Sequence, residues 1–459
     1  MKKSIKFYYA IIFGIGILCA GEARSEATFT EFPSEEVMQQ TGGAQVTGMS
    51  TNGRYIIGGT YTAGGFVYDV ETDEFRLLST SGVANNGDAL TGAGVVNLHT
   101  GDVAYTLERP SGSYSFLMTT GISGDGHVVT GTGGTDWTNL NPLCWIDGRL
   151  LILPFPSTAE VGTFKVNGCR ANGVSDDGSV IWGNFIANPN TNNLIIWERQ
   201  TDGSYDYVDV WTDLYEPQHG WVYDYDREEY DFVTGPNPYC RMEPYAMSGD
   251  GRLILIRTQE NTDEVSPPNK VGIFHVDSRT LELALWSKDD LIGKSRDFDS
   301  RGIANDGTVV GIARLNDLSD AIPFIMFPGE GPRYLNEVFP EIDRLQNYED
   351  RSLEGFPYLL TVISEDARYV AGYSTDVIQY TNEAGQTGED FGFWGYVIDM
   401  KGDGNQNENN GVEEIISFDQ DKETSFELFT VDGMKVSLPK KGQLYIKRLS
   451  SGESRKVIY

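Results

Sequence analysis

Positive charge is scarce in this chain: 35 lysines and arginines stand against 67 aspartates and glutamates, a formal charge of -32 at pH 7. That excludes nucleic acid and anionic lipid surfaces as partners, because no basic patch offsets the field. Histidine is scarcer still, with His99, His127, His219 and His275 the whole complement. None lies in HExxH spacing, and no two are close enough in sequence to suggest a metal pair. The four cysteines include no CxxC or Cys/His zinc spacing, so no metal site is expected. No G-x-S-x-G elbow, P-loop or dinucleotide fingerprint follows a strand and opens a helix. The run Gly131 to Gly134 leads into "TDWTNLNPL" and reads as a turn. No catalytic residue and no cofactor are therefore assigned. Sustained helical periodicity is also missing, and past residue 27 no apolar run is long enough to span a bilayer.

What is present begins with export. Lys2, Lys3 and Lys6 precede an apolar stretch from Tyr8 to Ala20, and small residues follow at Gly21, Ala23, Ser25 and Ala27. This predicts a signal peptide over 1–27, removed on export to the cell surface or the medium, with the periplasm as the alternative. Leu18 stands before Cys19 where a lipid-anchor signal has a small residue, which favours ordinary cleavage. The acidity then reads as solubility outside the cytoplasm. Cys144, Cys169 and Cys240 remain in the mature chain. Cys169 and Cys240 each sit just upstream of a repeated motif, so a disulfide between them and buried free thiols are both open.

The motif is clearest at Gly173, "GVSDDGSVIWG". It recurs as "GISGDGHVVTG" from Gly121, "AMSGDGRLILI" from Ala246 and "GIANDGTVVGI" from Gly302. Weaker copies start at Gly48, Gly82 and Val362, which makes seven. Asp-Gly predicts a tight hairpin turn, because Gly supplies positive φ without steric cost. The β-branched and aromatic residues that follow predict a strand. The shortest unit gives four strands, "QVTGMS", "RYIIGGTY", "GGFVYDV" and "EFRLLS". One such sheet exposes both faces and buries them only by stacking on its neighbours, and closing a ring removes the long free edge. The expectation is an all-β fold, a β-propeller over 46–400 with seven blades (six or eight if a blade is degenerate), after a polar lead-in at 28–45. The repeated turn acids Asp125, Asp177, Asp250 and Asp306 read as structural, since repeated positions do the same job in each blade.

The pattern G-[IV]-S-x-D-G-x-x-V-x-G resembles the HAF-type extracellular repeat of bacterial surface and secreted proteins. That resemblance covers roughly Val46 to Met400 and implies a propeller-like scaffold with no general chemistry.

Residues 401–411, "KGDGNQNENNG", read as a polar linker. Asp403, Asn405, Asn407, Asn409 and Glu414 have the offsets of a calcium loop, but Glu408 stands where the turn needs Gly and no helices flank it. From 412 to 459, "GVEEI" leads into "ELFTVDGMKV", "KGQLYIKRL" and a terminal "RKVIY". This segment resembles the type A C-terminal sorting domain of the type nine secretion system of Bacteroidetes. The resemblance implies a small β-sandwich that engages the sorting machinery at the outer membrane.

One insertion stands apart, in the longest gap between turn glycines, from Gly178 to Gly251. It mixes carboxylates with aromatics, among them Trp211, Trp221, Tyr223 and Tyr225. Flat rings beside hydrogen-bond acceptors suit a sugar or a protein partner, although an insertion also buries aromatics to order itself. These four are the candidate ligand-binding residues. The functional expectation is a non-catalytic binding protein that presents this loop to a glycan or protein. The alternative is a polysaccharide hydrolase or lyase with carboxylates meeting at the propeller mouth.

Overall fold

The computed structural model describes residues 27–92, 94–111, 114–136, 140–156, 165–188, 191–208, 220–224, 229–233, 239–260, 269–283, 297–314, 321–342, 345, 359–381 and 387–401. Beyond these it describes the strands 412–414, 426–429, 435–436, 444–449 and 454–458. Ala27–Met400 form one compact unit, and the residues from Lys401 onward belong to another.

The first unit is a seven-bladed β-propeller. Strand β1 (Thr28–Phe32) comes first in the chain but completes the last blade. Blade 1 is β2 (Gln45–Met49), β3 (Tyr55–Gly59), β4 (Gly65–Asp69) and β5 (Glu74–Leu77). Blade 2 is β6 (Gly82–Val83), β7 (Asp88–Thr91), β8 (Gly94–Asn97) and β9 (Val103–Tyr105). Blade 3 is β10 (Phe116–Ile122), β11 (Val128–Gly134), β12 (Leu140–Ile146) and β13 (Arg149–Ile152). Blade 4 is β14 (Lys165–Val174), β15 (Val180–Asn188), β16 (Thr191–Arg199) and β17 (Tyr205–Val208), joined to blade 3 by one parallel bridge between Leu140 and Gly168. A separate hairpin follows, β18 (Gly220–Asp224) and β19 (Glu229–Val233). Blade 5 is β20 (Tyr239–Met247), β21 (Leu253–Glu260), β22 (Asn269–His275) and β23 (Thr280–Leu283). Blade 6 is β24 (Asp297–Ile303), β25 (Val309–Arg314), β26 (Ala321–Met326) and β27 (Arg333–Tyr334). Blade 7 is β28 (Leu359–Ile363), β29 (Tyr369–Thr381), β30 (Thr387–Asp399) and β1.

The innermost strands β2, β6, β10, β14, β20, β24 and β28 each contact the next, and β28 returns to β2. That closes the ring. Burial follows position within the blade. The second strands are apolar on both faces, with Ile56, Val129, Ile181, Ile254, Val310 and Val370 fully buried, because sheets pack on either side. The outermost strand β5 carries Glu74, Arg76 and an exposed Leu77. The last glycine of the motif has a packing reason. A Cβ on Gly183 would lie 1.8 Å from the Arg170 carbonyl oxygen and 3.0 Å from the Trp197 ring, so no other residue fits.

Residues 28–45 belong to the propeller instead of leading into it. β1 pairs antiparallel with β30, Thr28 opposite Asp399 and Phe32 opposite Gly395, and a short helix, α1 (Glu35–Thr41), carries the chain to blade 1. Phe32 stacks on Tyr68 of blade 1 at 4.1 Å between ring centroids, so the closing strand also grips its neighbour. The sequence reading missed this because a five-residue strand without its own hairpin partner looks like any polar lead-in.

Cys144 and Cys169 are buried free thiols, so the pairing of Cys169 with Cys240 is not formed. Burial pushes the Cys144 thiol up to about 12 and the Cys169 thiol well above its ordinary value, which makes both unreactive.

In the second unit β31 (Val412–Glu414), β32 (Phe426–Phe429), β33 (Lys435–Val436), β34 (Leu444–Leu449) and β35 (Ser454–Ile458) form one sheet in the order β31-β35-β34-β32-β33, with β31 parallel to β35. A second sheet facing it, which a sandwich requires, is not among the described residues. The linker positions 402–411 lie outside them.

Candidate functional site

Each blade joins its first two strands by the motif turn. The turn differs from the predicted two-residue type. The amide of the motif glycine donates to the carbonyl three residues back, as from Gly178 to Ser175 at 3.0 Å and from Gly126 to Ser123 at 2.9 Å. The acidic residue is therefore central, and the glycine follows it in the left-handed region, at φ 67 in Gly178 and 81 in Gly126. The turn acids are structural, as expected. Asp125, Asp177, Asp250 and Asp306 each accept the amide two residues on, from His127, Ser179, Arg252 and Thr308, at 2.8–3.1 Å. In five blades a buried serine opens the turn: Ser50, Ser123, Ser175, Ser248 and Ser364. Its hydroxyl donates to that acid or its asparagine counterpart and accepts the amide five residues on, as from Val180 to Ser175 at 3.0 Å.

The residue between serine and acid does something else. It is Thr51, Asn85, Gly124, Asp176, Gly249, Asn305 and Glu365 in blades 1 to 7. These seven meet one another, which turns of separate blades can do only at the ring axis. The amide of Asn85 donates to the Gly124 carbonyl, that of Asp176 to Gly249, that of Asn305 to Glu365 and that of Glu365 to Thr51, at 2.7–2.9 Å. The Thr51 hydroxyl lies 2.6 Å from Asp176 Oδ1 and 3.0 Å from Asn85 Oδ1. Asn305 Nδ2 donates to Glu365 Oε2 at 3.2 Å.

Inside this circle the carboxyl groups of Asp176 and Glu365 converge, with Glu365 Oε2 2.8 Å and Asp176 Oδ2 3.1 Å from where a Cβ on Gly249 would stand. Burial pushes the Asp176 carboxyl up to about 7, opposed by the Thr51 hydroxyl and reinforced by Glu365. The adjacent Asp177 goes the other way. Burial raises it, but donors from Ser179 and Ser175 outweigh that and hold it below the ordinary value. The two glycines of the ring flank blade 4 because its carboxyl takes their space. A Cβ on Gly124 would lie 2.6 Å from Asp176 Oδ1, and one on Gly249 2.8 Å from Glu365 Oε2 and 3.1 Å from Asp176 Oδ2.

The innermost strands carry a second pattern. Six of the seven show a register shift just before the motif, leaving Thr47, Thr120, Asn172, Tyr245, Arg301 and Thr361 as the extra residue of a bulge. The Thr120 hydroxyl uses this turn to reach the Ala171 carbonyl of the next blade at 2.7 Å. Blades 1 to 3, where the bulge residues of blades 1 and 3 are threonines and blade 2 has none, leave a pocket of about 250 Å³ beside the axis. Thr47, Ser81 and Thr120 line its walls, and Thr51 and Gly124 of the ring line its end.

Glycoside hydrolysis holds its two acids about 5–10 Å apart across a space that admits substrate and water, whereas these two carboxyls close on the same space beside Gly249. The described histidines do not assist one another. His99 Nε2 lies 2.8 Å from Tyr55 Oη, His127 Nδ1 2.7 Å from Asp147 Oδ1 and His275 Nε2 3.1 Å from Glu282 Oε2. Among the described residues no three histidine, cysteine or acidic groups could hold a metal ion.

Of the predicted ligand-binding residues, Trp211 and Tyr225 lie outside the described residues. Trp221 and Tyr223 fall on β18, in the hairpin that joins no blade. Its register sets Trp221 opposite Phe232 and Tyr223 opposite Tyr230. Residues two apart on a strand share a face, as do directly opposed residues on paired strands. One face of the hairpin thus holds Trp221, Tyr223, Tyr230 and Phe232, and the other holds Val222, Asp224, Glu229 and Asp231. The axial ring was missed in the sequence. The one available signal was that the variable motif position is small or polar in all seven copies.

No family model matches the chain, and no curated protein sequence matches it. Solved structures similar to it include the Swd1 (Cps50) β-propeller domain of Myceliophteria thermophila, at 10% identity and TM-score 0.39, covering 80% of this chain and 98% of that one. An oligogalacturonate lyase from Vibrio parahaemolyticus is similar at 10% identity and TM-score 0.40, over 82% and 97%. TolB from Acinetobacter baumannii is similar at 12% identity and TM-score 0.28, over 63% of this chain and 64% of its own. These neighbours are varied in role and assign none to this chain.

Proposed function

We propose that this is an exported, non-catalytic binding protein whose propeller presents the β18–β19 hairpin to a glycan. The observation that carries the reading is the segregation of that hairpin, with four aromatic positions on one face and acids on the other. Size decides between the two classes of partner. A strand of five residues is about 17 Å long and its partner lies about 5 Å away. That is enough for a few sugar rings to stack, but well short of the roughly 800 Å² per side of a stable protein interface. The acidic opposite face and the charge of -32 favour neutral sugars over anionic ones. The N-terminal segment supports export, and the likeness of 412–459 to a sorting domain supports delivery to the cell surface.

A glycan array probed with the full chain, followed by calorimetry on the best ligand, tests this. Trp221→Ala and Tyr223→Ala should each weaken binding about tenfold or more, the scale of an aromatic anchor. Unchanged affinity in both variants would remove the hairpin as the site. Binding to a protein and to no glycan would overturn the choice of partner.

A further inference from the structure

The motif turns meet at the ring axis, and two of the contacts described among them join non-adjacent blades, Thr51 with Asp176 and Asp176 with Glu365. We propose that this ring is a cap: the contact between the Asp176 and Glu365 carboxyls, which close on the same space beside Gly249, draws the turns of blades 4 and 7 together across the axis, and losing that contact releases them and opens the pocket.

Three observations carry it. The contact spans the ring, whereas the other turn-to-turn bonds described here, apart from Thr51 to Asp176, run between neighbouring blades, as Asn85 to Gly124 and Glu365 to Thr51 do. The side chains fill the centre so closely that a methyl group on Gly124 or Gly249 would collide with them. The pocket of about 250 Å³ ends on Thr51 and Gly124, the residues against which Asp176 rests.

The charge balance around the pair leaves the proton as what holds it. Thr51 and Asn85 in blades 1 and 2, Gly124 in blade 3, Gly249 in blade 5 and Asn305 in blade 6 face it, and none of them is charged. The neighbouring turn acids Asp125, Asp177, Asp250, Asp306 and Asp366 each accept hydrogen bonds within their own turns. The cations that follow these turns are drawn outward. Arg54 pairs with Asp69 and Glu71, Arg368 with Asp399 and His127 with Asp147, and Arg252 lies near Asp250 and Asp277. Once both carboxyls ionise, like charges face each other in a half-buried site. Burial pushes the Asp176 carboxyl up to about 7, so the cap responds as pH rises through neutrality.

Hydrogen exchange on the full chain at pH 6 and pH 8.5, corrected for the intrinsic pH dependence of exchange, reads the cap through the amides of Asn85, Asp176 and Glu365. The amide of Gly203, in an outer turn of blade 4, serves as the internal reference. Protection of the three ring amides should fall about tenfold or more at the higher pH while Gly203 stays unchanged. In Asp176→Asn the amide can donate to Glu365 permanently, and protection should be equal at both values. Glu365→Gln should behave alike and stands in should the first variant fold poorly. Equal protection in the wild type at both pH values would overturn the proposal. So would a pH-dependent loss that survives in either variant.

Discussion

At the scale of single residues, the motif serine shows how a short polar side chain can be essential inside an apolar fold. Ser175 is fully buried, donates to Asp177 at 2.8 Å and accepts the Val180 amide at 3.0 Å. Replacing it with alanine leaves a buried amide without that acceptor, and such a loss costs about 1–3 kcal/mol. Urea unfolding of Ser175→Ala should therefore show a lower midpoint at unchanged slope. Asp176 next to it gives a pH dependence of definite sign. Its folded pKa, about 7, is raised above an unfolded value of 3.8, so the folded state binds the extra proton. The stability this contributes is complete below the unfolded value and is lost as pH rises through the folded one. Thermal unfolding of Asp176→Asn should accordingly lose part of the decline the wild type shows between pH 4 and 7, and the variant should be the more stable of the two at pH 8. The roles of these two neighbours were not equally legible. Ser175 and Asp177 belong to a local turn, and a turn is written in consecutive residues. Asp176 acquires its partner from Glu365, in a blade that only the closed ring brings across the axis.

At the scale of elements, the repeats announced the blades because each hairpin carries its own turn chemistry and its own buried second strand. The seam was not legible, since β1 pairs with a strand from the far end of the chain and matches no repeat. Phe32 is the residue to test there. It is 2% exposed, stacks on Tyr68 at 4.1 Å and meets Phe66 edge-on at 6.0 Å. Gly395 admits it, since a Cβ there would lie 2.4 Å from its ring. Phe32→Ala should destabilise the propeller by about 3–5 kcal/mol, the range for emptying a buried phenylalanine site, with calorimetry showing a lower transition temperature. The hairpin β18–β19 lies between these cases. Its aromatic richness was visible in the sequence, but its division into an aromatic and an acidic face emerges only from the register that pairs Trp221 with Phe232.

At the scale of the whole molecule, a charge of -32 means that the folded chain repels itself. Raising salt from about 0.01 M to about 1 M shortens the screening length from about 30 Å to about 3 Å. It also weakens exposed ion pairs such as Arg76 with Glu74, but solvent already screens those and each contributes little. Net repulsion is the larger effect, so the transition temperature should rise with salt, and a fall would show that the local pairs dominate. The seam has a consequence for how the molecule is born. Thr28 leaves the ribosome early, while its partner Asp399 is made near the end. At about 5–20 residues per second, the first strand waits roughly 20–75 s for the last. Until then the nascent chain is an unclosed arc, and the circle is completed only after synthesis of the seventh sheet.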